Sequence, residues 1–152
     1  MDFRDFLKDN IVCLDGGMGT LLQERGLLPG EYPERWNISH PEIITEIHKS
    51  YFDAGSNVVS TNTFGANTLK FSSDELSEIV CSAVKNARAA AALSESTEKK
   101  FVALDIGPTG KLLKPFGDLD FIFSVNNSCH RINSLKLFFC LDKGQNICYH
   151  RV

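Results

Sequence analysis

The chain has 152 residues, 43% of them hydrophobic and 23% charged, with a formal net charge of −3, a profile that fits one soluble globular domain and excludes disordered and collagen-like classes. No run approaches the roughly eighteen apolar residues of a membrane span, and the start, MDFRDFLKDN, lacks the apolar core and cleavage site of a signal peptide, so a cytoplasmic location without a membrane partner is expected. The mild acidity, with no basic stripe and no interleaved aromatic platform, argues against a nucleic-acid partner.

In chain order, a short helix is expected from Asp2 to Lys8, burying Phe3, Phe6 and Leu7. Ile11 to Leu14 is the first of three short apolar runs with the profile of buried parallel strands; Asn57 to Thr61 and Phe101 to Ile106 are the others. The first run stops at Asp15 and continues as Gly16-Gly17-Met18-Gly19, with a helix expected from Met18 to Arg25. Glycines in succession open backbone angles closed to other residues and let a ligand approach the main chain. Ser39 and Glu42, in SHPE, have capping-box spacing, and Ile43, Ile44, Ile47 and Tyr51 follow as one helical face that stops at Ala54-Gly55. Ser72 and Glu75, in SSDE, open a further helix through Leu76, Ile79, Val80, Ala83 and Ala87 to about Leu93. Strands alternating with helices in this way predict an α/β fold with a parallel sheet, as a barrel or as an open doubly wound sheet.

Both architectures collect ligands at the carboxyl ends of their strands. Those ends are Asp15 with Gly16 and Gly17, Asn62 with Thr63 in STNTFGAN, and Asp105 with Gly107 in DIGPTG. Local roles compete with a shared site: Asp15 suits a helix N-terminus, and Asn62 and Asp105 suit turns. Three polar strand ends on one face favour the site. GGMGT lacks the GxGxxG spacing of a dinucleotide fingerprint, and DIGPTGKL is not a P-loop. A phosphate resting on the glycine turn remains open, although Asp15 would repel it. A carboxylate beside free main-chain N–H groups suits a zwitterion better, which points to an amino acid ligand.

The five cysteines, Cys13, Cys81, Cys129, Cys140 and Cys148, are odd in number and form no CxxC pair, so they read as reduced thiols. The composition changes near Phe121. From there on, four basic residues (Arg131, Lys136, Lys143, Arg151) face one acid (Asp142), three of the five cysteines occur, and Ala, Glu, Pro and Thr are absent.

LDGGMGTLLQERGL, PERWNISHPEIITEIHKSYFDAGSNVVSTNTFGANTLKF and ALDIGPTGKLLKPFGDLDF together resemble the homocysteine S-methyltransferase family, in the form of the N-terminal homocysteine-binding domain of its cobalamin-dependent methionine synthase branch. The resemblance covers about Phe6 to Phe121. It implies a (β/α)8 TIM barrel in which three cysteine thiolates hold zinc, zinc binds the homocysteine sulfur, and the thiolate takes a methyl group to give methionine. In that branch methylcobalamin, recharged from methyltetrahydrofolate, is carried by other domains. By motif, Asp15 and Gly16, with Gly17 adjoining, match the family's substrate-binding Asp-Gly, and Asn62 and Asp105 match strand-end positions that line the pocket.

The chain departs from the pattern after GDLDF. The family's GGCC pair, its earlier cysteine and a substrate-holding glutamate have no counterpart, so no metal ligands are assigned and no cofactor is expected on this chain. Substitute zinc ligands from Cys129, His130, Cys140, Cys148 and His150 would have a spacing unlike known ribbons or fingers. A barrel of this kind needs roughly 250 residues. The expectation is therefore a partial barrel of the first three βα units: residues 1–120 as the N-terminal part of the homocysteine-binding domain, and 121–152 as a divergent tail, truncated or frame-shifted. The alternative is a non-catalytic half-barrel that binds an amino acid or complements another chain.

Overall fold

The computed structural model describes residues 3–107 and 115–117, together with the backbone of two short strands at 140–141 and 147–148. The elements in order are α1 (Phe3–Asp9), α2 (Met18–Glu24), a 3-10 turn (Pro33–Arg35), α3 (Trp36–Ser39), α4 (Pro41–Asp53), β1 (Val58–Ser60), α5 (Ser73–Leu93), β2 (Phe101–Ala103), β3 (Cys140–Leu141) and β4 (Ile147–Cys148). Asp2, Pro108 to Gly110, and most of the tail, including Cys129, His130 and His150, lie outside the described residues.

Helix ends follow local chemistry. Gly55 has φ +99°, and two hydrogen bonds, Gly55 N–H to the Phe52 carbonyl and Ser56 N–H to the Tyr51 carbonyl, each 3.0 Å, close α4 in a Schellman motif. Gly26, with φ +104°, ends α2 in the same way. Ser72 caps α5 as expected, its Oγ accepting from Glu75 N–H at 3.3 Å. The expected cap at Ser39 does not form. Pro41 takes the first helical position of α4, which makes His40 the cap residue, and Ser39 Oγ turns instead to the Arg35 carbonyl and His40 Nδ1.

β1 and β2 pair in parallel, Val58 opposite Phe101 and Ser60 opposite Ala103, with α5 as the crossover between them. The segment before Asp15 lies on the other side of β1. It is reduced to a single parallel bridge, Leu14 to Val58, supported by Asn57 N–H to the Cys13 carbonyl at 2.8 Å and Asp15 N–H to the Val58 carbonyl at 3.0 Å. The profile of the sequence predicts a buried run here. Ile11 is instead 91% exposed and Leu14 51%, because the run is an edge that nothing among the described residues covers. β3 and β4 form a separate antiparallel pair, with Cys140 opposite Cys148.

Alternation along β1 sends its two valines to opposite faces. Val59 packs with Phe52, Ala87 and Ala90 under α4 and α5, and Val58 packs with Phe3 and Ala103. Phe3 meets Phe101 edge-on at 4.9 Å, so α1 covers the face that α4 and α5 leave open; Leu7, expected to be buried with it, is exposed. Phe52 is fully buried, and truncating it to Ala would cost about 3–5 kcal/mol. Among the described residues no helix is long and apolar enough to cross a membrane.

Candidate functional site

Parallel pairing places the three strand ends on one edge of the sheet. Asp15 arrives there because its N–H continues the pairing with β1, and its side chain then bends across, Oδ2 accepting from Ser60 N–H at 2.7 Å. Burial pushes the Asp15 carboxyl above the ordinary carboxylate range, and the bond from Ser60 only partly offsets this. Asp105 is also raised, first by burial and then by the negative charge of Asp15. Two carboxyls that feel each other in a partly dehydrated setting favour a cation beside them.

A closed circuit of hydrogen bonds ties the loop after β1 to the Asp105 backbone. Asp105 N–H donates to Thr61 Oγ1 at 3.2 Å, Thr61 and Thr63 hydroxyls meet at 2.7 Å, and Thr63 Oγ1 donates to the Asp105 carbonyl at 2.7 Å. An N–H can only donate and a carbonyl can only accept, so each hydroxyl proton has one direction. Thr61 therefore donates to Thr63.

Asn62 is buried, but its side chain does not face the acids. Its Nδ2 donates to the Pro33 carbonyl at 2.7 Å, while its own carbonyl accepts from Asn37 Nδ2 at 2.7 Å. Asn37 also donates to the Glu34 carbonyl at 2.8 Å, and Asn86 of α5 donates to the Asn37 carbonyl at 2.9 Å. Glu34, 5% exposed, holds Gly65 N–H on Oε1 at 2.7 Å. A Cβ at Gly65 would fall inside contact distance of that oxygen. The loop after β1 is thus fastened from behind by the turn around Pro33 and from the front by the threonine circuit. Glu34 and Asn37 escaped the sequence reading, although PERWN stands within the quoted motif.

Gly16 and Gly17 need no left-handed backbone; Gly17 has φ −69° and ψ 112°, and among the described residues the positive-φ glycines are Gly26, Gly30 and Gly55. Close approach is what requires Gly16 to be small. A Cβ there would lie 3.0 Å from the Tyr51 hydroxyl, which also donates to the Gly17 carbonyl at 3.3 Å.

The described residues do not fit the zinc ion that the sequence resemblance implies. Cys13 and Cys81 are free and exposed, on the edge segment and on α5, and no group of three His, Cys, Asp or Glu side chains among the described residues converges as a metal site.

The homocysteine S-methyltransferase family profile matches residues 12–139. The chain belongs to this family. Among solved structures, the homocysteine methyltransferase MmuM from Escherichia coli is similar in its metallated form at 27% identity and a TM-score of 0.61, over 70% of this chain and 41% of that one. Its apo form matches at 25% identity and a TM-score of 0.63, over 89% of this chain and 51% of that one. The chain thus spans about two-fifths to one-half of the length of these relatives.

Proposed function

We propose that this chain forms the first three βα units of a (β/α)8 barrel and binds homocysteine at its strand ends, as part of an enzyme that methylates the homocysteine sulfur to give methionine. The observation that carries the reading is the pair Asp15, which directly precedes the glycine turn, and Asp105, whose carboxyl feels the charge of Asp15, both raised by burial. An amino acid's ammonium beside these carboxyls would favour their charged forms and so offset the burial and repulsion that raise them. Asn62 acts from behind, keeping the loop after β1 in register, and the small Gly16 and Gly17 leave the turn's main chain accessible.

The TNTFGAN form supports the cobalamin-linked branch of the family, with methylcobalamin and methyltetrahydrofolate on other domains and the remainder of the barrel as a further partner. Zinc activation of the thiol would draw on residues outside those described. A second reading, a non-catalytic half-barrel that complements another chain, is favoured by the uncovered edge at Ile11 and Leu14.

Titration calorimetry with homocysteine, with metal analysis of the same sample, tests both readings. Under the first, wild type binds and Asp15→Asn loses about tenfold or more in affinity, the scale of a charge-assisted bond. Equal binding by the two proteins removes Asp15 from the site. Binding that appears only when a complementary chain is added supports the second reading.

A further inference from the structure

We propose that Tyr51 of α4 is a positioning residue for the glycine turn, holding the main chain on which Asp15 stands. It lies 34 positions from Gly17 in sequence, and three observations converge on it. Its hydroxyl donates to the Gly17 carbonyl at 3.3 Å. Its ring and hydroxyl occupy the space that a Cβ at Gly16 would need, with the hydroxyl at 3.0 Å and ring carbons at 3.3 and 3.4 Å. Its phenol is raised by burial and then by the negative charge of Asp15, so it belongs to the same electrostatic neighbourhood.

The geometry explains what this contact does. A trans peptide carries its N–H opposite its carbonyl, so anchoring the Gly17 carbonyl on α4 turns the Met18 N–H away from α4. The Schellman closure of α4 fixes the tyrosine in turn, since the Tyr51 carbonyl accepts from Ser56 N–H at 3.0 Å. Helix end, tyrosine and glycine turn form one rigid connection between α4 and the strand-end edge. Without the hydroxyl the turn would keep its contacts with the ring but lose its rotational setting.

The effect on affinity rests on the homocysteine reading; the effect on the turn does not. The experiment compares wild type, Tyr51→Phe, Gly16→Ala and the double variant, by homocysteine calorimetry and by amide resonances of Gly17, Met18 and Gly19 in the ligand-free protein. Tyr51→Phe keeps the ring and the melting temperature, shifts those amides, and weakens homocysteine about fivefold, the worth of one neutral hydrogen bond. Gly16→Ala weakens binding by its clash with the hydroxyl, and adding Tyr51→Phe relieves part of that loss rather than multiplying it. Independent, multiplying losses, or unmoved amides in Tyr51→Phe, overturn the proposal. Should wild type take no homocysteine, the functional reading fails, and the amide shifts alone decide the role of Tyr51.

Discussion

Asp15 and Asp105 stand on opposite sides of β1, and the charge of Asp15 adds to burial in holding the Asp105 carboxyl above its ordinary value. A carboxyl raised in the folded state binds its proton more tightly there than in the unfolded chain. The contribution of these two carboxyls to stability is then fully present below the ordinary value of 3.8 and is lost as pH rises through the raised values. Asp105→Asn removes the repulsion, so its melting temperature at pH 7 should exceed that of wild type by about 2 °C, a modest figure because the site is partly solvated. An unchanged or lower melting temperature, with the same pH profile, would mean the two acids are already compensated.

Glu34 offers a test of the rear fastening. Glu34→Ala leaves Gly65 N–H buried without an acceptor, which costs about 1–3 kcal/mol. Glu34→Gln keeps an acceptor for that N–H and substitutes an amide for Oε2, which finds no partner in the structure, so it should cost less. Chemical denaturation of both variants gives the comparison; a Gln variant as unstable as the Ala variant would show that charge, not the Gly65 bond, matters.

His48 is fully buried on α4 with neither ring nitrogen hydrogen-bonded, and burial lowers its pKa from 6.5 to about 4. Below pH 6.5 the unfolded chain takes up a proton that the folded chain refuses. Stability present above pH 6.5 is therefore lost as pH falls towards 4, by up to about 3 kcal/mol. Replacing His48 with Leu should flatten that slope, as read from denaturation midpoints between pH 4 and 7; a slope unchanged in the variant would assign the acid sensitivity elsewhere.

Thr63→Val keeps the shape of the side chain but opens the hydroxyl circuit at the Asp105 carbonyl. A loss of about 1–2 kcal/mol is expected, with faster amide exchange at Asp105 than at Val84 of α5. Equal protection at both positions would show that the circuit is not what holds the strand end.

Much of this arrangement was legible in the chain. Short branched runs bounded by turn formers placed β1 and β2 within a residue or three of their observed limits, and Ser72 and Gly55 marked their helix ends because caps act within one turn. Pro41 overrode the Ser39 signal for the same local reason: its fixed φ suits the first helical position, which puts the cap at His40 and leaves Ser39 one residue outside it. The contacts of Glu34 with Gly65, and of Tyr51 with Gly17, span 31 and 34 positions. No periodicity reports such distances, and Glu34, a charged residue in a polar stretch, gave no sign of burial. Gly16 was recognisable as special, but its reason lies in a tyrosine on another element.

The threonine circuit has a consequence for how the strand ends are held. Thr61 and Thr63 are each 2% exposed, and with the direction fixed from Asp105 N–H to the Asp105 carbonyl both hydroxyl protons are committed inside the fold. The circuit is therefore an internal brace that faces no ligand: it sets where the second and third strand ends stand and leaves recognition to the partly exposed side chains of Asp15 and Asp105.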